Sequence, residues 1–244
     1  MAFYSISTRN LKKTLTRKAT LIEKPIHSWD LEPPEATALQ ARFSRRVVRQ
    51  TRIHFEDIET VAGVDIGYRN DTACAAVVVM SLIDLKILEE ALAAKPVQFP
   101  YVPGLLSFRE GPVIVDALSK LKTAPDLLMI DGHGIAHPRR FGAASHIGVL
   151  LDMPSIGCAK TRLVGDYEPP QRCAGSTSLL TDAEETIGAV VRTRTGIKPV
   201  FVSIGHLMDL NDSIRVVLKS CHGYRLPEPL RRADHLSRKE SKFV

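Results

Sequence analysis

The stretch Val61-Ala-Gly-Val-Asp-Ile-Gly-Tyr68 is an apolar run broken by a single acid, Asp65. Its length and its β-branched residues fit a core strand better than a helix. A Tyr-Arg-Asn-Asp turn follows. Thr72 to Leu82 is then a second, Val-rich strand, so the two predict an antiparallel hairpin. Lys86 to Val97 reads as a third strand.

Downstream the pattern changes to strand–helix alternation. A helix is expected over Ser107 to Leu121, a buried strand over Asp126 to Ile130 ending in Asp131, a helix over Phe141 to Leu151 and a strand over Met153 to Ala159. Gly165 to Ser178 reads as loop and Thr181 to Thr186 as loop or turn. Strands are expected at Ile187 to Arg192 and Val200 to Ser203, a helix at Asp209 to Cys221, and then a basic tail. Strands first and alternation afterwards predict one α/β domain with a mixed sheet flanked by helices.

Upstream, Pro33 and Pro34 precede a helical pattern over Glu35 to Gln50. Ala38, Leu39, Phe43, Val47 and Val48 form its apolar stripe, and Arg42, Arg45, Arg46 and Arg49 face water. Residues 1–27 are polar and basic, with Lys12, Lys13, Arg17, Lys18 and Lys24, and read as an extension to a domain spanning 28–244.

The 244 residues carry 44% hydrophobic and 25% charged side chains, which allows a sizeable core. The net charge of +6 suits a polyanionic partner without identifying one. Cys74, Cys158, Cys173 and Cys221 form no CxxC pair, so a zinc site of the usual spacing is not expected. They read as reduced thiols, which points to the cytoplasm. No apolar run is long enough to span a bilayer, and no secretory leader is recognisable.

Asp65 sits inside an otherwise apolar strand, and Asp131 ends the apolar run Leu127 to Ile130. A buried carboxylate is costly unless it is paired, hydrogen-bonded or bound to a cation. Two such acids can hold Mg²⁺, which takes one or two carboxylates and keeps other positions for water and phosphate. The alternatives are a strand-end turn at Asp65 and an Asp-Gly turn at Asp131. Glu110 lies three residues after Ser107, so it reads equally as a third acid or as half of a capping box. Pro112 is tolerable in a first helical turn.

Tyr101-Val102-Pro103-Gly104 is a stiff loop whose ring can stack on a base or pack on its own sheet. Asp131-Gly-His-Gly-Ile-Ala-His-Pro-Arg-Arg140 is the densest polar stretch, with His133, His137, Arg139 and Arg140 following the acid. Its arginines suit phosphate. Lys160 ends a strand and is either a phosphate partner or a surface lysine. His206 reads as ligand, acid, cap or core residue.

In this order, VAGVDIGY, PYVPGLLSFREGP, DGHGIAHPRRFGAASHIGVLLDMPSIGCAKTRLVG, SIGHLMDL and GYRLPEPLRRAD resemble the endonuclease V family, nucleases of inosine-containing strands. The likeness runs from about Ser28 to Asp234. It implies an RNase H-like fold and Mg²⁺ (with Mn²⁺ as substitute) held by Asp65, Asp131 and Glu110. It implies that Lys160 steadies phosphate and that His206 sits at or beside the metal. Tyr101 would wedge into the gap left by a flipped base, and Gly104 and Leu106 would line the hypoxanthine pocket. Pro103, His137, Arg139 and His146 fall at further nucleic-acid positions. The family cuts the second phosphodiester 3′ to the lesion and leaves the lesion in place. DGHGIAHPRR and GYRLPEP resemble the bacterial, DNA-cutting type more than the animal, RNA-preferring one. A monomer is expected. A sugar kinase sharing the run GVDIGY and a non-cutting inosine reader are the competing readings.

Overall fold

In a computed structural model, the protein is described over residues 26–240. The expectation for the basic stretch up to residue 25 lies outside the described residues. His27, expected to belong to that extension, is instead docked: its Nε2 lies 2.8 Å from Nε2 of His146.

Among the described residues eight strands form one sheet: β1 (Thr60–Arg69), β2 (Thr72–Ser81), β3 (Ile87–Pro96), β4 (Leu127–Ile130), β5 (Ser155–Ala159), β6 (Thr177–Asp182), β7 (Glu185–Val191) and β8 (Val200–His206). Their spatial order is β3-β2-β1-β4-β5-β8-β7-β6. β1, β4 and β5 run parallel, while the remaining pairings are antiparallel. The expected mixed sheet is thus present, with β4 and β5 at its centre and β1 beside β4.

Among the described residues five α-helices flank it: α1 (Pro33–Phe43), α2 (Leu106–Ser119), α3 (Ala143–Leu151), α4 (Leu210–Lys219) and α5 (Glu228–Glu240). Alternation along the strands sorts the core into two layers. Ala62 and Val64 of β1, with Leu128 and Ile130 of β4, pack with Val113, Ile114 and Ala117 of α2 and Ala144 and Ile147 of α3. Val61, Leu127 and Met129 face the other way, toward Val216 and Val217 of α4 and Leu230 of α5.

Gly63 and Gly67 occupy that second face of β1, and helix α5 lies against them. A Cβ on Gly63 would come within 2.2 Å of the Pro229 carbonyl group, and one on Gly67 within 2.8 Å of the Ser237 oxygen. These two positions lack side chains because a helix backbone passes there.

Four expectations differ from the structure. The first helix ends at Phe43, continues as a 3-10 turn over Ser44–Arg46, and leaves Ala38 and Val48 exposed. Thr181 to Thr186 is no loop: only Ala183 and Glu184 separate β6 from β7, with Ala183 at a left-handed φ of 54°. Pro112 lies inside α2 rather than in its first turn. The basic tail contains α5, whose Leu230, Ala233 and Ser237 are buried.

Candidate active site

Asp65 lies midway along β1, one residue past the pair Val64 and Ile130 and so level with Asp131, which follows β4; Lys160 follows β5. These three strands are parallel neighbours, so the sheet delivers all three side chains to one edge. Helix α5 crosses the same edge on the glycine-notched face and adds Asp234. One oxygen each from Asp65, Asp131 and Asp234 lie within 4.8 Å of one another.

Glu110 comes from α2, on the opposite face of the sheet, and lines the same cavity of about 410 Å³. The capping-box alternative does not hold. Helix α2 starts at Leu106 with no side-chain cap, and Glu110 Oε1 accepts instead a 2.8 Å hydrogen bond from the Tyr68 hydroxyl. Ser107, the proposed cap, has its Oγ 2.9 Å from Nδ1 of His146.

The electrostatics fit a cation site. Burial, followed by the nearby charges of Asp65 and Asp131, pushes the Glu110 pKa up to about 7 against the Tyr68 hydrogen bond. Burial raises Asp65 as well, with Asp131 adding to it while the hydroxyl of Ser237, 2.7 Å from Asp65 Oδ2, opposes. Lys160 Nζ donates to Asp131 Oδ2 at 2.6 Å and to Asp234 Oδ1 at 3.3 Å. Burial works against the Lys160 charge, yet Asp131, Asp234 and Asp65 outweigh it and raise its pKa. Arg238 Nη2 also reaches Asp234 Oδ1, at 2.9 Å. Four carboxyl groups outnumber the three nearby cations, Lys160, Arg238 and Arg109. All-oxygen donors with that excess suit a hard divalent ion such as Mg²⁺.

Asp234 is the acid that sequence reading missed. It sits on a segment read as a basic tail. The signal was present in Leu230, Ala233 and Ser237, a helical stripe following Pro227 and an acid, Glu228, in the first turn.

His206 is not brought to this site. It ends β8, which runs antiparallel to β5, so its C-terminal end lies at the opposite edge of the sheet. There its Nδ1 accepts from the Val48 amide at 3.1 Å, and Nε2 lies 3.5 Å from Asp152. The expectation that His206 sits at or beside the metal is corrected by strand direction.

The loop before α2 borders the acids, since Leu106 lines their cavity. Tyr101 is 72% exposed, so it does not pack on its own sheet. Pro103 is exposed too. Gly104 takes a left-handed φ of 79°. Its carbonyl meets His137 Nε2 at 3.0 Å and accepts from Arg139 Nη2 at 2.9 Å. Burial, followed by the Arg139 charge, lowers the His137 pKa to about 4, so the ring is neutral.

Two other expectations change. His146 is fully buried between His27 and Ser107 among the rings of Trp29, Phe108 and Phe141, out of reach of a nucleic acid. Arg140 does not face open solvent as a phosphate grip. It pairs with Asp182 at 2.8 Å and Glu185 at 2.6 Å.

The family model for Endonuclease V matches residues 41–235. An Endonuclease V of Roseiflexus sp. is 52% identical over 209 residues, covering 86% of this chain and 93% of the relative. The crystal structure of Endonuclease V from Streptomyces avermitilis superimposes with a TM-score of 0.83 at 42% identity, covering 88% of this chain and 96% of that one. Endonuclease V from Ciona intestinalis, solved in complex with a 24mer DNA containing an inosine followed by a ribo-adenosine, gives a TM-score of 0.75 at 27% identity, with 86% and 98% covered. Matched across most of its length in sequence and in fold, this chain belongs to the Endonuclease V family.

Proposed function

We propose that this protein is a metal-dependent DNA-repair endonuclease that nicks the second phosphodiester 3′ to deoxyinosine, leaving the lesion on the nicked strand. The observation that carries this reading is the convergence of Asp65, Asp131 and Asp234 within 4.8 Å, with Glu110 in the same cavity. Family membership and the inosine-containing DNA held by the Ciona relative support the choice of substrate.

Asp65, Asp131 and Asp234 would hold Mg²⁺ (or Mn²⁺), with Glu110 completing the acidic set. When bound, such an ion lowers the pKa of water and neutralises charge on a phosphoryl group in an in-line displacement. Lys160, half-buried at the rim of the cluster, would place an ammonium against the charge that develops on the scissile phosphate. Ser237 orients Asp65 by donating to Oδ2, and Tyr68 orients Glu110 in the same way. The exposed Tyr101 ring would fill the gap that a flipped base leaves. Gly104 and Leu106 would border the base, next to the acids. Pro103 completes the same loop surface. Arg139 and His137 support it from beneath. The protein would work as a cytoplasmic monomer.

A second reading, cleavage of inosine in RNA, is favoured by the ribo-adenosine in the Ciona ligand. One experiment tests both: a single deoxyinosine in a DNA duplex, and a single inosine in an RNA strand, each incubated with the protein and Mg²⁺. Nicking of the DNA one bond beyond the lesion's own 3′ phosphodiester supports the first reading. Cleavage of RNA alone selects the second, and cleavage of neither removes both.

A further inference from the structure

Gln40 is a buried amide with no place in the chemistry described so far. It lies on α1 at 1% exposure, and all of its polar atoms are engaged. Its Nε2 donates to the Gly104 carbonyl at 2.9 Å and to the Phe141 carbonyl at 3.0 Å. Its Oε1 accepts from Nε of Arg139. Arg139 in turn donates from Nη2 to the same Gly104 carbonyl.

His137 completes the arrangement. Its Nδ1 accepts from the Arg139 amide at 3.1 Å, so the proton of the neutral ring is on Nε2, and Nε2 donates to Gly104. Three donors from two separate segments therefore converge on one carbonyl oxygen. That oxygen belongs to the glycine whose left-handed φ turns the chain from the Tyr101 loop into α2. A Cβ there would meet Arg139 Nη2 at 2.8 Å, so the residue is closed over as well as bonded.

A buried amide with every group satisfied fixes geometry more than it adds stability. The peptide it fixes stands between an exposed aromatic ring and Leu106 at the edge of the acidic cavity. We propose that Gln40 is a positioning residue for the Tyr101–Gly104 loop, clamping the Gly104 carbonyl so that the loop selects inosine over an undamaged base. The inference rests on reading this loop as the base-recognition element.

The clamp acts on the lesion-specific part of binding and leaves backbone contacts alone. The test uses the full chain with Ca²⁺ in place of Mg²⁺, and measures Kd for a duplex with one deoxyinosine and for the same duplex with adenine. Gln40→Met keeps the side-chain length and removes all three hydrogen bonds. Gln40→Glu keeps the acceptor for Arg139 and removes only the two donations. Both variants are expected to lose about tenfold of the inosine preference, the scale of a recognition element displaced by a fraction of an ångström. Kd for the undamaged duplex is expected to stay within about twofold, because phosphate contacts carry that term. In Mg²⁺, KM for the inosine duplex is expected to rise more than kcat falls.

A purely structural Gln40 would shift both Kd values together, and that result overturns the proposal. So does full inosine preference in Gln40→Glu. If the wild-type chain shows no inosine preference, the functional reading fails first, and this inference falls with it.

Discussion

Lys160 Nζ lies 2.6 Å from Asp131 Oδ2 and bridges onward to Asp234, so one ammonium sits at the mouth of the acidic cluster. Lys160→Met removes a positive charge beside the proposed divalent-ion site. The half-saturating Mg²⁺ concentration for nicking is therefore expected to fall. The maximal rate is expected to drop roughly 100-fold, the scale of losing one preorganised donor at a developing charge. A rate loss with unchanged Mg²⁺ dependence would separate Lys160 from the cation site.

Asp234→Ala tests the acid contributed by α5. Mutating even an outer-shell partner of a metal costs roughly 10–100-fold, so loss of Asp234, a ligand in the proposed centre, is expected to cost at least about 100-fold in nicking. Binding of an inosine duplex in Ca²⁺ should change little. Nicking at the wild-type rate would leave Asp65, Asp131 and Glu110 as the whole centre.

The Glu110 carboxyl titrates at about 7 in the fold against 4.5 ordinarily. Between those values the folded chain holds a proton that the unfolded chain releases. Stability therefore falls as pH rises through that window in the absence of a divalent ion. Glu110→Gln keeps the Tyr68 hydrogen bond and removes the titration. It should match wild type at pH 4 and exceed it at pH 8 by on the order of 3 kcal/mol, measured by urea unfolding in EDTA. Added Mg²⁺ should stabilise wild type at pH 8 and have little effect at pH 5, where Glu110 is protonated.

Tyr101 is 72% exposed, and Tyr101→Ala removes few contacts. Thermal stability is expected to change by less than about 0.5 kcal/mol. Affinity for an inosine duplex should fall about tenfold, given the roughly 1–3 kcal/mol of an aromatic–base stack. Equal affinity in the two proteins would remove the ring from the interface.

Gly63→Ala places a methyl group where the Pro229 backbone already lies. Overpacking of this kind costs about 1–3 kcal/mol, and here the obstacle is main chain rather than a movable side chain. The midpoint of urea unfolding should fall accordingly. Nicking should fall further than stability alone predicts, because α5 shifts and carries Asp234 with it.

Much of the fold was legible because β1, β2, β4 and β5 are continuous apolar runs with sharp ends. Asp65 and Asp131 stood out for the same reason, as lone acids inside one such run and at the end of another. Glu110 was ambiguous, since its spacing from Ser107 also satisfies a capping rule. Tertiary contacts, Tyr68 on Glu110 and His146 on Ser107, separate the two. Helix α5 was hidden by its own surroundings: a helix lying on Gly63 and Gly67 buries the narrow stripe Leu230, Ala233 and Ser237, and most of the rest of it is charged. Thr181 and Asp182 looked like turn residues because edge-strand polarity resembles loop polarity. His206 went astray because spacing along the chain carries no information about which way β8 runs.

The acids that meet at the sheet edge come from β1, α2, the end of β4 and α5, so the cluster is complete only when segments far apart in the chain have all been made and packed. Ribosomal stalling or proteolysis before residue 228 leaves the cluster without Asp234. A half-finished or damaged copy is thereby expected to be harmless to intact strands, with cleavage competence arriving only when the last helix docks.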